Sequence, residues 1–254
     1  MNVAVMLAGG VGRRTGAPIP KQFIPVLGKP VIVHTLETYE KFDCIDAVEV
    51  VTVEGWDEEV RSYPEKYGLT KLRWVTTGGA SAQESIRNGI FNLEGKIKED
   101  DVIVIVSSLC PLTEEEIIQD SLRVCNTYGG AVAGGMSIYN LTELKDGYWG
   151  NDIVYKENHV TLNFPWTYPL KTLLWAYHKG DEMGILESNA AYTTTLMVDL
   201  GQKLFFSKES ERNKLKIVTL DDVDMIEGFL LIEELRRGNT DAVRLIRKNR
   251  NDCC

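Results

Sequence analysis

The chain has 254 residues, 44% of them hydrophobic, enough to bury one substantial core. With 37 acidic against 28 basic residues its formal net charge is −9, which argues against a nucleic-acid partner, because phosphate-backbone binding needs a basic face. Strand-sized apolar runs argue against a membrane span, an immediate first strand leaves no room for a signal peptide, and five cysteines without C-x-x-C spacing argue for reduced thiols in a cytoplasmic protein.

In chain order, residues 3–6 read as a buried parallel strand, followed by a glycine-rich loop and a helix over 31–42. A second strand is expected at 47–53, a helix at 57–67, a lead from Trp74-Val75 into Thr77-Gly78-Gly79, and a helix at 85–93. Residues 102–106 form the most apolar strand, expected mid-sheet. Thr113 and the acids Glu114 to Glu116 read as an N-cap and first turn of a helix reaching Tyr128, and 131–137 as a further strand. From 138 to 162 the pattern turns polar and aromatic around Asp146-Gly147, an excursion containing a hairpin. Helices are then expected at 169–179 and 184–193, strands at 203–207 and 214–218, and a closing helix at 220–237. Alternating strands and helices imply an α/β fold, a mostly parallel sheet covered on both faces. The simplest organisation is one domain over 1–254 with an arm projecting at about 138–162.

The informative segment is Leu7-Ala8-Gly9-Gly10-Val11-Gly12-Arg13-Arg14-Thr15-Gly16, followed by Pro20-Lys21-Gln22-Phe23. Its glycines let the backbone turn sharply and approach a ligand, with N–H groups free to point at an anion. A polyphosphate suits it. No Gly-Lys-Ser/Thr tripeptide exists for a Walker A loop, and G-x-G-x-x-x-G is not the dinucleotide spacing. The pattern L-A-G-G-x-G-x-R-x-G-x(3)-P-K-Q-F resembles cytidylyltransferases that activate 2-C-methyl-D-erythritol 4-phosphate or ribitol 5-phosphate. Gly28-Lys29-Pro30 and His34-Thr35-Leu36 continue it in register.

That resemblance implies a three-layer sheet of Rossmann-like nucleotidyltransferase topology with a projecting β-arm, and transfer of CMP from CTP to a phosphorylated polyol or sugar phosphate. It assigns the phosphates to Arg14 and Lys21 and the acceptor phosphate to Lys216. The nucleotide falls to Leu7, Ala8, Gly9, Gly10 and Gly12, with Gly78, Gly79, Ser85 and Ser108. Magnesium is implied, held mainly through the nucleotide, and so is a homodimer built on the arm. Charge shifts toward departing pyrophosphate in such a transfer, so fixed cations and N–H donors are the main catalytic terms.

Away from the loop the chain departs from the family. Ala82 stands for an arginine, Ser107 for the aspartate and Cys110 for the arginine of H-D-A-x-R-P. Asn163-Phe164-Pro165-Trp166 replaces Q-T-P-Q, Ser188-Asn189 replaces T-D, and Asn213 lies near a usual acid. Ser107, Cys110, Asn163 and Asn189 are thus acceptor-side candidates, while Lys216 and Asp221-Asp222 keep their context. Tyr148, Trp149 and Trp166 read as arm packing or interface, His34 as helix packing, and Cys253-Cys254 as a tail. Two readings stand: a cytidylyltransferase with an unusual acceptor, or a nucleotide-binding relative that has lost transfer chemistry and serves as a regulator or scaffold.

Overall fold

The computed structural model describes residues 1–10, 16–186 and 192–239. Arg14, Gly12, Asn189 and the cysteine pair lie outside the described residues. The first elements in chain order are β1 (Asn2–Ala8), β2 (Pro25–Val26), β3 (Lys29–Pro30), α1 (Val31–Glu40), β4 (Ala47–Thr52), α2 (Asp57–Tyr67) and β5 (Leu72–Thr77). Then come α3 (Ala82–Leu93), β6 (Val102–Ser107), α4 (Glu115–Tyr128), β7 (Ala131–Met136) and β8 (Val160–Pro169). The chain continues through α5 (Leu170–Met183), α6 (Thr193–Asp199), β9 (Phe206–Ser207), α7 (Glu211–Lys214) and α8 (Leu220–Arg236).

Seven strands form one sheet in the order β5-β4-β1-β6-β8-β7-β9. The β5, β4, β1 and β6 strands pair in parallel, whereas β8 runs antiparallel to both neighbours, β6 and β7. Alternation along each strand divides the core between two faces. Ala4, Met6, Val48, Val50 and Val104 pack with α1, α2 and α4. Val3, Val5, Val51, Ile103 and Ile105 pack with α3, α5 and α6 on the other side. A smaller cluster joins Val26, Val31, Leu109 and Ile217 to Val223 and Ile226 of α8.

Several local expectations give way to longer-range pairing. Residues 160–169, which the sequence reading covers with the end of the arm, an unassigned stretch at 163–168 and the first residue of a helix, form the ten-residue strand β8. Pro165 sits where the register against β7 slips between Val132 and Ala133, an irregularity that lets a sheet strand carry a proline and hides the strand from pattern reading. Trp166, expected in the arm or an interface, is 5% exposed within the core. The helix expected at 184–193 is absent at its start, because Gly184 in the left-handed region (φ 65°) ends α5. Residues 187–191 lie outside the described residues, and α6 begins at Thr193.

The strand expected at 203–207 shortens to β9. Residues 214–218 form no strand; α7 ends at Lys214, and hydrogen bonds to Leu109 and Asp222 hold the following backbone instead of a sheet partner. Glu114, not Thr113, is the N-cap of α4. The Thr113 hydroxyl turns inward to Cys110 O at 2.9 Å. Residues 138–159 leave the sheet between β7 and β8, bridged at Leu141 to Val154 and at Lys145 to Trp149 around Asp146-Gly147, both with positive φ, as a tight hairpin turn requires.

Candidate active site

Parallel strands leave their binding crevice beyond their carboxyl ends, and several of the described sequence candidates gather there. Ser108 N–H donates to Leu7 O at 3.1 Å, tying the turn after β6 to the end of β1. The Gln22 amide donates to Ala8 O at 2.5 Å. Gly78 N–H donates to Thr52 O at 2.7 Å, and Gly79 N–H donates to Ser85 Oγ at 3.0 Å. Close approach explains three of the glycines. A Cβ on Gly9 would sit 3.0 Å from Ser85 Oγ, one on Gly78 2.7 Å from it, and one on Gly79 2.2 Å from the Glu84 side chain. Gly10 differs, being exposed with nothing within 4 Å of a Cβ. Ser81, which caps α3 by accepting from Glu84 N–H, also takes the Ser85 hydroxyl at its carbonyl, 2.8 Å away. Ser108 is fully buried, and its hydroxyl has no hydrogen-bond partner among the described residues.

A second group is built around Lys21, buried in a 3-10 turn, Lys21–Phe23. Its ammonium donates to Ile217 O at 2.9 Å, and Ile217 N–H reaches Leu109 O at 3.2 Å. Asp222 accepts N–H bonds from Val218 and Thr219 at 2.8 and 2.7 Å. Burial alone would raise the Asp222 carboxyl, but those donors, the Thr219 hydroxyl and the Lys21 charge outweigh it and hold the group below the ordinary carboxylate range. Burial pushes the Cys110 thiol up to about 11, against the opposing pull of Lys216, Ser107 and Lys21. Cys110 is therefore a neutral group beside two lysines, where the family resemblance implies a guanidinium.

Lys216 Nζ stands 5.2 Å from the centre of the Phe164 ring, a cation–π contact, and Phe164 stacks on Trp166 at 4.4 Å. Asn213 is buried and donates to Phe164 O at 2.7 Å, which makes it a clamp between α7 and β8. Asn163 is half-buried in β8, directly before Phe164. The Ser107 hydroxyl accepts from Leu109 N–H at 3.3 Å. Among the described residues no three His, Cys, Asp or Glu side chains come together as a cation site. His34 packs outside the group, with Nε2 2.7 Å from Val26 O. A cleft of about 200 Å³ between α1 and α8 is lined by Lys29, His34, Glu37 and Arg237 and includes none of the site candidates.

Asp222 keeps its family context in the sequence, whereas the roles of Thr219, Gln22 and Phe164 do not show there. The T-x-x-D spacing of Thr219 and Asp222 is a readable capping pattern. Gln22 lay inside the motif, but its carbonyl partner was not legible. Phe164 carried no signal, because its closeness to Lys216 depends on the unread strand β8.

A family model described as 2-C-methyl-D-erythritol 4-phosphate cytidylyltransferase matches residues 2–231. The ribitol-5-phosphate cytidylyltransferase of Lacticaseibacillus paracasei is 35% identical over 235 residues, covering 92% of this chain and all of that relative. The 2-C-methyl-D-erythritol 4-phosphate cytidylyltransferase of Clostridium botulinum is 26% identical over 236 residues, covering 92% of this chain and 98% of its own length. In fold the chain is similar to the crystal structure of 4-diphosphocytidyl-2C-methyl-D-erythritol synthase from Anaerococcus prevotii, with a TM-score of 0.74 at 18% identity over 91% of this chain and 98% of that one. The glycine loop, the sheet that carries it and the near full-length match together place this chain in the 2-C-methyl-D-erythritol 4-phosphate cytidylyltransferase family.

Proposed function

We propose that this chain transfers CMP from CTP to a phosphorylated polyol or sugar phosphate and releases pyrophosphate. The observation that carries this reading is the meeting of Gly9, Gly78, Gly79 and Ser85 at the carboxyl end of the sheet, with the Lys21 ammonium donating to the backbone carbonyl of Ile217, the residue after Lys216. An acceptor phosphate oxygen attacks the α-phosphorus of CTP, and the bond to pyrophosphate breaks. Gly9, Gly10 and the loop N–H groups hold the nucleotide, and Lys21, with Arg14, meets the negative charge that moves onto pyrophosphate. Lys216 draws in the acceptor phosphate. Phe164 beneath its ammonium and the Asp222 carboxylate that fixes the following backbone orient it.

The donor set around Ser107 does not fit a protein-held cation, because its hydroxyl supplies no charge and no carboxylate cluster accompanies it among the described residues. Magnesium would be held by the nucleotide's own phosphates and would offset their charge. The neutral Cys110 is the reason to keep the second reading, nucleotide binding without transfer.

For quaternary structure we propose a homodimer through the arm, supported by its exposed Tyr139, Leu144, Tyr148 and Tyr155, since exposed apolar patches mark interfaces. No described helix is long and apolar enough to cross a membrane, and the proposed setting is cytoplasmic. Pyrophosphate release from CTP over a panel of phosphorylated polyols and sugar phosphates tests the function. CTP binding with no release from any acceptor selects the second reading, and no CTP binding overturns both.

A further inference from the structure

The α8 helix is apolar on two faces. One carries Val223 and Ile226, buried against Val26, Leu109 and Ile217. The other exposes Met225 (50%), Phe229 (41%), Ile232 (46%) and Leu235 (41%). At 100° per residue these four, together with Asp221, Gly228 and Arg236, fall within an arc of about 120°. Asp221 and Arg236 are exposed, and neither is in an ion pair among the described residues. A Cβ on Gly228 would meet nothing within 4 Å, so no contact within the described fold calls for a glycine there, although glycine is a poor helix former.

We propose that this face of α8 binds the same face of a second copy of the chain, antiparallel about a two-fold axis between Gly228 and Phe229. Asp221 and Arg236 are equidistant from that point, as are Met225 and Ile232. The two-fold operation therefore sets Asp221 of one copy against Arg236 of the other, Met225 against Ile232, and the Phe229 ring against the bare backbone of Gly228. An isologous interface requires this self-complementarity, and the glycine permits close helix packing at 8–10 Å between axes. Acids at a helix start and arginine at its end also suit the helix's own dipole. The charges alone would thus carry no weight, but the apolar stripe and the glycine occupy the same arc. One helix face is smaller than the roughly 800 Å² per partner of a standard interface, so the association is expected in the micromolar range.

Sedimentation equilibrium of the full chain from about 0.1 to 100 µM spans that range. The expected result is a mass that rises with concentration to at least twice that of the dilute species, because an arm dimer would present two α8 faces. Phe229→Arg and Gly228→Leu should weaken the doubling by about a hundredfold through a buried charge and a blocked approach. Asp221→Arg and Arg236→Asp should each weaken it by about tenfold at low salt by facing like charges across the axis, and the double exchange should restore it. Thermal melting of every variant confirms that it folds. A wild-type mass that does not rise with concentration overturns the proposal. So does a Phe229→Arg protein that doubles like wild type, or a double exchange that fails to restore association. If α8 amides are protected from hydrogen exchange in a chain that never doubles, something else covers the stripe, the chain's own residues 240–254 included, and the proposal also falls.

Discussion

The Lys21 ammonium and the Ile217 carbonyl meet at 2.9 Å across 196 residues of sequence. This contact joins the segment after the glycine loop to the backbone beside Lys216, so the two proposed phosphate-binding cations are positioned together. Charge-assisted hydrogen bonds to phosphate contribute roughly 1.5 to 3 kcal/mol each. Lys21→Ala is therefore expected to weaken CTP binding by about tenfold or more. Calorimetric titration checks this, and equal affinity in the two proteins would remove Lys21 from the nucleotide.

Two glycines of the site are required for different reasons, and alanine separates them. In Gly78→Ala the new Cβ meets Ser85 Oγ at 2.7 Å and Thr52 O at 3.3 Å, neither of which is the end of a flexible chain. A loss of about 1 to 3 kcal/mol of stability is expected from such overpacking. Gly10→Ala meets nothing within 4 Å, so its unfolding midpoint should stay unchanged while CTP affinity falls as the Cβ enters the space a phosphate would use. Urea unfolding and calorimetry on both variants decide the matter. Intact CTP binding in Gly10→Ala would place the nucleotide elsewhere.

Glu49 lies fully buried in β4, with the Asn92 amide donating to it at 2.6 Å. Burial pushes its carboxyl up to about 8, against the opposing pull of Asn92 and Lys96. The folded state thus holds a proton that the unfolded chain, with a carboxyl near 4.5, has lost. This group's contribution to stability is full below about pH 4.5 and declines as pH rises to about 8, at up to about 1.4 kcal/mol per pH unit. Glu49→Gln should remove that slope. Urea unfolding of both proteins at several pH values measures the difference, and parallel profiles would show that Glu49 is ionised in the fold.

Cys110 supplies no cation, and Ser107 supplies no carboxylate. Losing one positioned group of this kind costs about 2 to 4 kcal/mol of barrier, and several losses in one site act together without simple additivity. 2-C-methyl-D-erythritol 4-phosphate and ribitol 5-phosphate are therefore expected to be very poor acceptors even with saturating CTP and magnesium. The assay is pyrophosphate release, with Lys21→Ala as the blank. Turnover on the order of 1 per second with either acceptor would mean that other residues replace the missing groups.

The arm makes a separate claim about assembly. Removing residues 144–152 deletes Tyr148, 83% exposed, and Trp149, 45% exposed. Mass photometry at nanomolar concentration, below the range expected for α8 pairing, should then find monomers where the intact chain forms dimers. An unchanged dimer would place the interface elsewhere.

By itself the sequence determined what local physics specifies. Near-continuous apolar runs in 47–53 and 102–106 mark strands buried on both faces, helical periodicity marks α1 to α4, and the glycine spacing after β1 marks a phosphate-binding loop and its family. Only the tertiary structure decided what depends on pairing between distant segments. Strand β8 exists because β6 and β7 supply partners on both sides, despite a proline within it. Lys216 finds Phe164 only because β8 is there, and residues 215–218 stay outside the sheet because Lys21, Leu109 and Asp222 satisfy their backbone. A backbone group accepts whichever partner the topology brings near, and that choice has no periodic trace in the chain.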